Sequence, residues 1–288
     1  MRKIGMVALT VVCLVVIGVV TLSPGTAGGH HPLSGPMSDP SIFHPSIGDG
    51  PSAGPSRKAL HVVALGDSVT SGAACGCAGF PSEYAQLLSQ RDGVTVTVDN
   101  EGVDGLDTAG LLGDLDQAGS SVARAVQHAD IVVVTIGAND FGDRHAEVTD
   151  GLCNQSVGSD CVSDDLDQMN ANLRQVVARI HALRNGSPTA VLVTGYWNVF
   201  EDGDVARQSF PRAGVAATAD LTRRTNAAIS ADAVHERATF VDLLGPFQHA
   251  GVDITQLLAA DGDHPNARGH DLIAHALLAA GLPGLRTR

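Results

Sequence analysis

Beyond residue 59 one alternation recurs along the chain: a short run rich in β-branched residues, then a longer stretch whose apolar positions return every three or four residues. The runs at 60–65, 94–98, 131–136, 190–194 and 239–243 read as strands, most of them apolar enough to be buried on both faces. Between them, 80–91, 111–128 (with a break near Gly119), 214–237 and 267–280 read as helices. Leu166, Met169, Leu173, Val176, Ile180 and Leu183 mark one more, strongly amphipathic helix. Strands alternating with helices predict an α/β fold with a five-stranded parallel sheet, right-handed crossovers and helices on both faces.

In such sheets functional groups gather beyond the carboxyl ends of the strands. Four polar groups fall there: Gly66-Asp67-Ser68, Asn100 to Gly105, Gly137-Ala138-Asn139-Asp140, and Asp261-Gly262-Asp263-His264 before the last helix. A serine, a histidine and an acid are the parts of an activated nucleophile: the imidazole takes the serine proton and the carboxylate fixes its tautomer. Asp261 and His264 are three residues apart, so one loop can aim both at Ser68. The backbone N–H groups of Ser68 and Gly105 and the side-chain amide of Asn139 could supply an oxyanion hole.

These segments carry a resemblance. Ala64-Leu65-Gly66-Asp67-Ser68-Val69-Thr70-Ser71-Gly72 resembles the first block of the SGNH (GDSL) hydrolases, and Asn100-Glu101-Gly102-Val103-Asp104-Gly105 resembles their second. Gly137-Ala138-Asn139-Asp140 is similar to their G-x-N-D block and Asp261-Gly262-Asp263-His264-Pro265 to their D-x-x-H block. The resemblance, spread over 60–281, implies a three-layer α/β/α flavodoxin-like sandwich and esterase or lipase chemistry with Ser68 as nucleophile. Val69, where the family's name has leucine, is the one departure. Plainer roles exist for each residue. Asp67 or Ser68 can cap a helix, Gly105 can serve a turn, and Asn139 and Asp140 can cap loops, the reading preferred for Asp140. Asp263 competes with Asp261 for the histidine. A metal site from Asp261, Asp263, His264 and His270 is disfavoured because one stretch of chain would supply every ligand.

Composition narrows the class. With 44% hydrophobic and 17% charged residues the chain is globular, and a net charge of −13 argues against a nucleic-acid partner. Its two lysines, Lys3 and Lys58, precede the first predicted strand, which argues against a Schiff-base enzyme and, with no Gly-Lys-Ser/Thr core, against a P-loop.

Arg2 and Lys3 lead an uncharged apolar run at 4–22, and Gly25-Thr26-Ala27 offers small residues for cleavage. Residues 1–27 therefore read as a signal peptide, or as an N-terminal anchor tethering the chain to a membrane through 4–22. Cys13 lies in that run and reads as inert. Residues 28–57 form a linker rich in Pro, Gly, Ser and His. Its Gly50-Pro51-Ser52-Ala53-Gly54 fits G-x-S-x-G, but no strand leads into it. His30, His31 and His44 belong to the same tether. The hydrolase domain is assigned to 58–288.

Four further cysteines in an exported chain predict disulfides rather than zinc, since C-x-C with C-x7-C is not a usual zinc spacing. Cys153 and Cys161 are expected to close one short loop, and Cys75 with Cys77 is favoured over crossed pairing. Two stretches, 141–162 and 196–212, read as insertions over the site, the second carrying Trp197, Phe200 and Phe210.

The sequence thus points to an exported serine hydrolase that cleaves carboxylic esters through an acyl-enzyme on Ser68, with no cofactor and no metal. Its substrate would be a small-molecule, lipid or glycan ester, with lipase, phospholipase and O-deacetylase activities all open. The polar character of 141–162 favours short or soluble acyl esters over long-chain triglycerides. The alternative is a non-catalytic, envelope-associated binding protein on the same fold, against which intact Ser68, Asn139 and His264 speak.

Overall fold

In the computed structural model, which describes residues 59–153 and 160–285, five strands form one sheet. They are β1 (Leu60–Gly66), β2 (Val96–Gly102), β3 (Ile131–Thr135), β4 (Ala190–Thr194) and β5 (Thr239–Val241). Every pairing is parallel, in the order β2-β1-β3-β4-β5. β3 and β4 are buried at every position, as their unbroken apolar runs require. β2 is an edge strand, and its half-buried and exposed positions alternate at first and its sequence then turns polar. That polar end explains why its apolar run at 94–98 marks the strand too early. Backbone pairing of Asp99 to Gly102 with β1 carries it on to Gly102.

The helices are α1 (Ser68–Ser71), α2 (Gly79–Asp92), α3 (Thr108–Asp116), α4 (Ser121–His128), α5 (His145–Thr149), α6 (Ser163–Arg184), α7 (Gly203–Ser209), α8 (Arg212–His235), α9 (Leu244–Gln248) and α10 (Ala267–Ala280). α2 and α10 pack together on one side, while α3 and α4 pack on α6 and α6 on α8. The stretch expected as one broken helix at 111–128 is α3 and α4. Asp107 caps the first through Gly110 N–H, Ser120 caps the second through Ala123 N–H, and Gly119 turns between them at φ 80°. The three-layer α/β/α architecture with a five-stranded parallel sheet is therefore observed.

The strand order places β1 between β2 and β3, so the chain leaves β1 toward β2 and leaves β3 the opposite way, toward β4. The loops after β1 and β3 part there, and a crevice opens at the carboxyl edge. Backbone contact closes its floor: Asp67 N–H donates to Thr135 O at 3.1 Å, and a Cβ on Gly66 (φ 145°) would collide with that same carbonyl.

Cys75 is bonded to Cys77 and Cys153 to Cys161, with Cα separations of 5.1 and 5.3 Å. Among the described residues no helix is long and apolar enough to cross a membrane. The expected leader or anchor (1–27), the linker (28–57) and the G-x-S-x-G pattern at 50–54 lie outside the described residues.

Candidate active site

Ser68 opens α1 immediately after β1, at the crevice. Asp67 is the N-cap of that helix, its Oδ1 accepting the Val69 N–H at 2.9 Å. A four-residue helix is too short to hold its own start rigid, so this cap fixes the turn that carries Ser68. The other carboxylate oxygen, Oδ2, accepts the hydroxyl of Tyr196 at 2.5 Å, across the crevice from the loop after β4. Burial pushes the Asp67 carboxyl up to about 6, although the bonds from Tyr196 and Val69 favour its charged form.

The loop before α10 brings Asp261 and His264 together. Asp261 Oδ2 lies 2.9 Å from His264 Nδ1, and its Oδ1 accepts the N–H groups of Asp263 (3.0 Å) and His264 (3.1 Å). Burial opposes the charge of Asp261, but these bonds outweigh it and leave its pKa below the ordinary carboxylate value. Asp263 stands 3.9 Å from the same Nδ1, beyond hydrogen-bond reach, and burial with Glu201 and Asp261 nearby pushes its pKa up to about 6. With Nδ1 committed to Asp261, Nε2 is the nitrogen left to meet a hydroxyl.

Ser68, Asn139 and His264 line one cavity of about 290 Å3. Asn139 follows β3, and one of its amide N–H groups donates to Leu106 O at 2.9 Å, which leaves the second for a ligand. Gly105 sits in the exposed turn after β2 (φ 76°), next to Leu106 and outside the cavity lining. The second block ties β2 to α1: Asn100 donates to Thr70 O, and a Cβ at Gly102 would strike the Ser71 backbone. Asp140 takes the capping role expected of it, accepting the N–H and hydroxyl of Thr108 at the start of α3.

The far wall comes from the loop after β4. Tyr196, Trp197 and Phe200 line the cavity, whereas Phe210 does not. Trp197 stacks on Phe247 at 4.5 Å and Phe200 meets His145 edge-on at 4.8 Å. His145 Nε2 pairs with Glu201 Oε2 at 2.8 Å, so a polar pair borders the aromatic surface. Neither Tyr196 as a partner of Asp67 nor the His145–Glu201 pair is foreseen by the sequence pattern. Their partners are 129 and 56 residues away, and no local spacing signals such pairing.

The donor atoms of Asp261, Asp263, His264 and His270 do not converge as the metal alternative requires. His270 is buried on α10, where its Nδ1 accepts the Phe80 N–H at 3.1 Å. Among the described residues it groups instead with Cys75 and Cys77, whose sulfurs are bonded to each other and so are not free as ligands.

Comparisons with known proteins bear on this arrangement. The fold matches the lipase Lip_vut3 from a goat rumen metagenome (20% identity, TM-score 0.61), covering 79% of this chain and 100% of that one. It also matches the acetylxylan esterase Axe2 from Geobacillus stearothermophilus (21%, TM-score 0.54, 80% and 97%). A third match is LAE5, an alpha/beta hydrolase enzyme from the metagenome of Lake Arreo, Spain (21%, TM-score 0.53, 77% and 94%). Described catalytic mutants of Axe2 replace a serine, an aspartate and a histidine by alanine. No curated protein sequence matches this chain. The model of the GDSL-like lipase/acylhydrolase family matches residues 64–272, from the end of β1 through the Asp261–His264 loop into α10. This chain belongs to the GDSL-like lipase/acylhydrolase family, and is a carboxylic ester hydrolase.

Proposed function

We propose that the chain is an exported esterase working through an acyl-enzyme on Ser68, with His264 as base and acid and Asp261 as its orienting carboxylate. The observation that carries this is the 2.9 Å Asp261–His264 bond on a loop whose histidine shares one cavity with Ser68 and Asn139. The catalytic serine, aspartate and histidine altered in the Axe2 mutants support it by analogy. His264 Nε2 takes the Ser68 proton as Oγ attacks the ester carbonyl. The tetrahedral oxyanion accepts hydrogen bonds from Ser68 N–H and the second Asn139 amide N–H, the two expected donors that line the cavity. Collapse breaks the ester bond, and His264 gives its proton to the leaving alkoxide. Water then repeats the cycle: His264 takes its proton, the hydroxide attacks the acyl carbonyl, and Ser68 recovers its hydrogen.

A cavity of about 290 Å3 suits a short acyl group. Asp263 in its lining and Glu201 on the lining residue His145 oppose anionic substrates, so neutral glycan or small-molecule esters fit better than anionic phospholipids. Two disulfides and the leader-like residues 1–27 support work outside the cytoplasm. The test is a panel of p-nitrophenyl esters of rising chain length, with an acetylated xylo-oligosaccharide and a phosphatidylglycerol vesicle alongside. Acetyl to butyryl esters should turn over fastest, and Ser68→Ala should lose about 10⁶ in kcat with the fold intact. A rate that climbs steadily to long acyl chains overturns the substrate reading. A Ser68→Ala variant keeping a tenth of the activity overturns the nucleophile.

A further inference from the structure

Tyr196 is buried, and three hydrogen bonds hold it. Asn226, from α8, grips its backbone on both sides: Oδ1 accepts the Tyr196 N–H at 2.8 Å and Nδ2 donates to Tyr196 O at 2.8 Å. Its hydroxyl donates to Asp67 Oδ2 at 2.5 Å, and Asp67 Oδ1 accepts the Val69 N–H at 2.9 Å. One hydroxyl therefore joins the turn holding Ser68 to the end of β4, and α8 fixes that end in turn. We infer that Tyr196 is a positioning residue for catalysis: through Asp67 it sets the angle of the Ser68 turn against the oxyanion donors.

The chemistry of the carboxyl makes this testable. Only ionised Asp67 can accept from Tyr196 and Val69 with both oxygens. A proton on either oxygen sets one donor against another and loosens the turn. The titratable groups around Asp67 are Tyr196, Asp263 from the α10 loop, which raises its pKa, and His264, which lowers it; Asp140 also faces Tyr196. Burial is the largest influence and holds the carboxyl at about 6, and the Tyr196 hydrogen bond draws it down. Removing that bond raises it further, so the acid limb of activity must move to higher pH.

The inference rests on Ser68 being the nucleophile, and the experiment separates the two. Wild type and Tyr196→Phe are compared by fluorophosphonate labelling of Ser68 and by the pH profile of short-ester hydrolysis, with near-UV circular dichroism as the fold control. Tyr196→Phe should label to the same final stoichiometry but roughly 10- to 100-fold more slowly, the factor expected when one hydrogen bond to a charged group is lost. Its kcat should fall by a similar factor with KM within about twofold, since substrate contacts are unchanged. The acid limb should shift alkaline, and in an Asp67→Asn background the same substitution should leave the limb in place. A wild type that never labels at Ser68 overturns the nucleophile reading and the positioning role with it. A labelled wild type matched in rate and limb by Tyr196→Phe overturns the positioning role alone.

Discussion

Asp261 and Asp263 flank one glycine in the same loop, yet a single ångström separates their chemistry. The first bonds His264 Nδ1 at 2.9 Å and the second stands off at 3.9 Å. Asp261→Asn should therefore cost up to about 10⁴ in kcat through the wrong imidazole tautomer, while Asp263→Asn should cost far less. The reverse order, measured on a short chromogenic ester, would make Asp263 the orienting acid. Asn139→Ala should lose roughly 10²–10³ in kcat, the usual effect of deleting one oxyanion donor. The Asp261–His264 pair was legible in the sequence because three-residue spacing confines two side chains to one loop. Tyr196 was not: its partner Asp67 lies on another strand end, and a tyrosine beside a tryptophan reads only as wall.

The strands that were easiest to read are those whose backbone environment leaves no choice. β3 and β4 are buried on both faces, and their apolar runs fall within one residue of their observed ends. The apolar run at 94–98 differs from β2 at both ends because an edge strand tolerates Asp99, Asn100 and Glu101 and is held by its ladder to β1. The short helices α5 and α7 leave no mark in the hydrophobic pattern for a related reason. They have little periodicity of their own and lie in the two stretches read as insertions. Gly66 shows how tightly two elements meet beside the nucleophile, with φ of 145° and the Thr135 carbonyl where a Cβ would go. Gly66→Ala should lower stability by more than about 2 kcal/mol, from backbone strain added to overpacking, and the urea midpoint measures it. An unchanged midpoint would mean that β1 and β3 can part at no cost.

At the scale of the whole molecule, one strand order and four loops do the arranging. The reversal of direction between β1 and β3 parts the loops after them, while the β4 and α10 loops supply the wall and the base. The Cys153–Cys161 bridge fastens the stretch beyond Asn139. Replacing both cysteines by serine should cost about 2–3 kcal/mol and lower Tm by roughly 5–10 °C, as expected for a short closed loop in a domain of this size. A calorimetric Tm within a degree of wild type would show that the loop is held without it. The central claim is that ester cleavage passes through an acyl-enzyme on Ser68. Mixing the protein with excess p-nitrophenyl acetate, quenching in acid within the first turnover and mapping peptides by mass spectrometry tests it most directly. The account predicts a nitrophenol burst of one equivalent per protein and one acetyl group on the peptide containing Ser68, absent in Ser68→Ala. Turnover with no burst and no acetylated peptide, or acetyl carried on another residue, would contradict it.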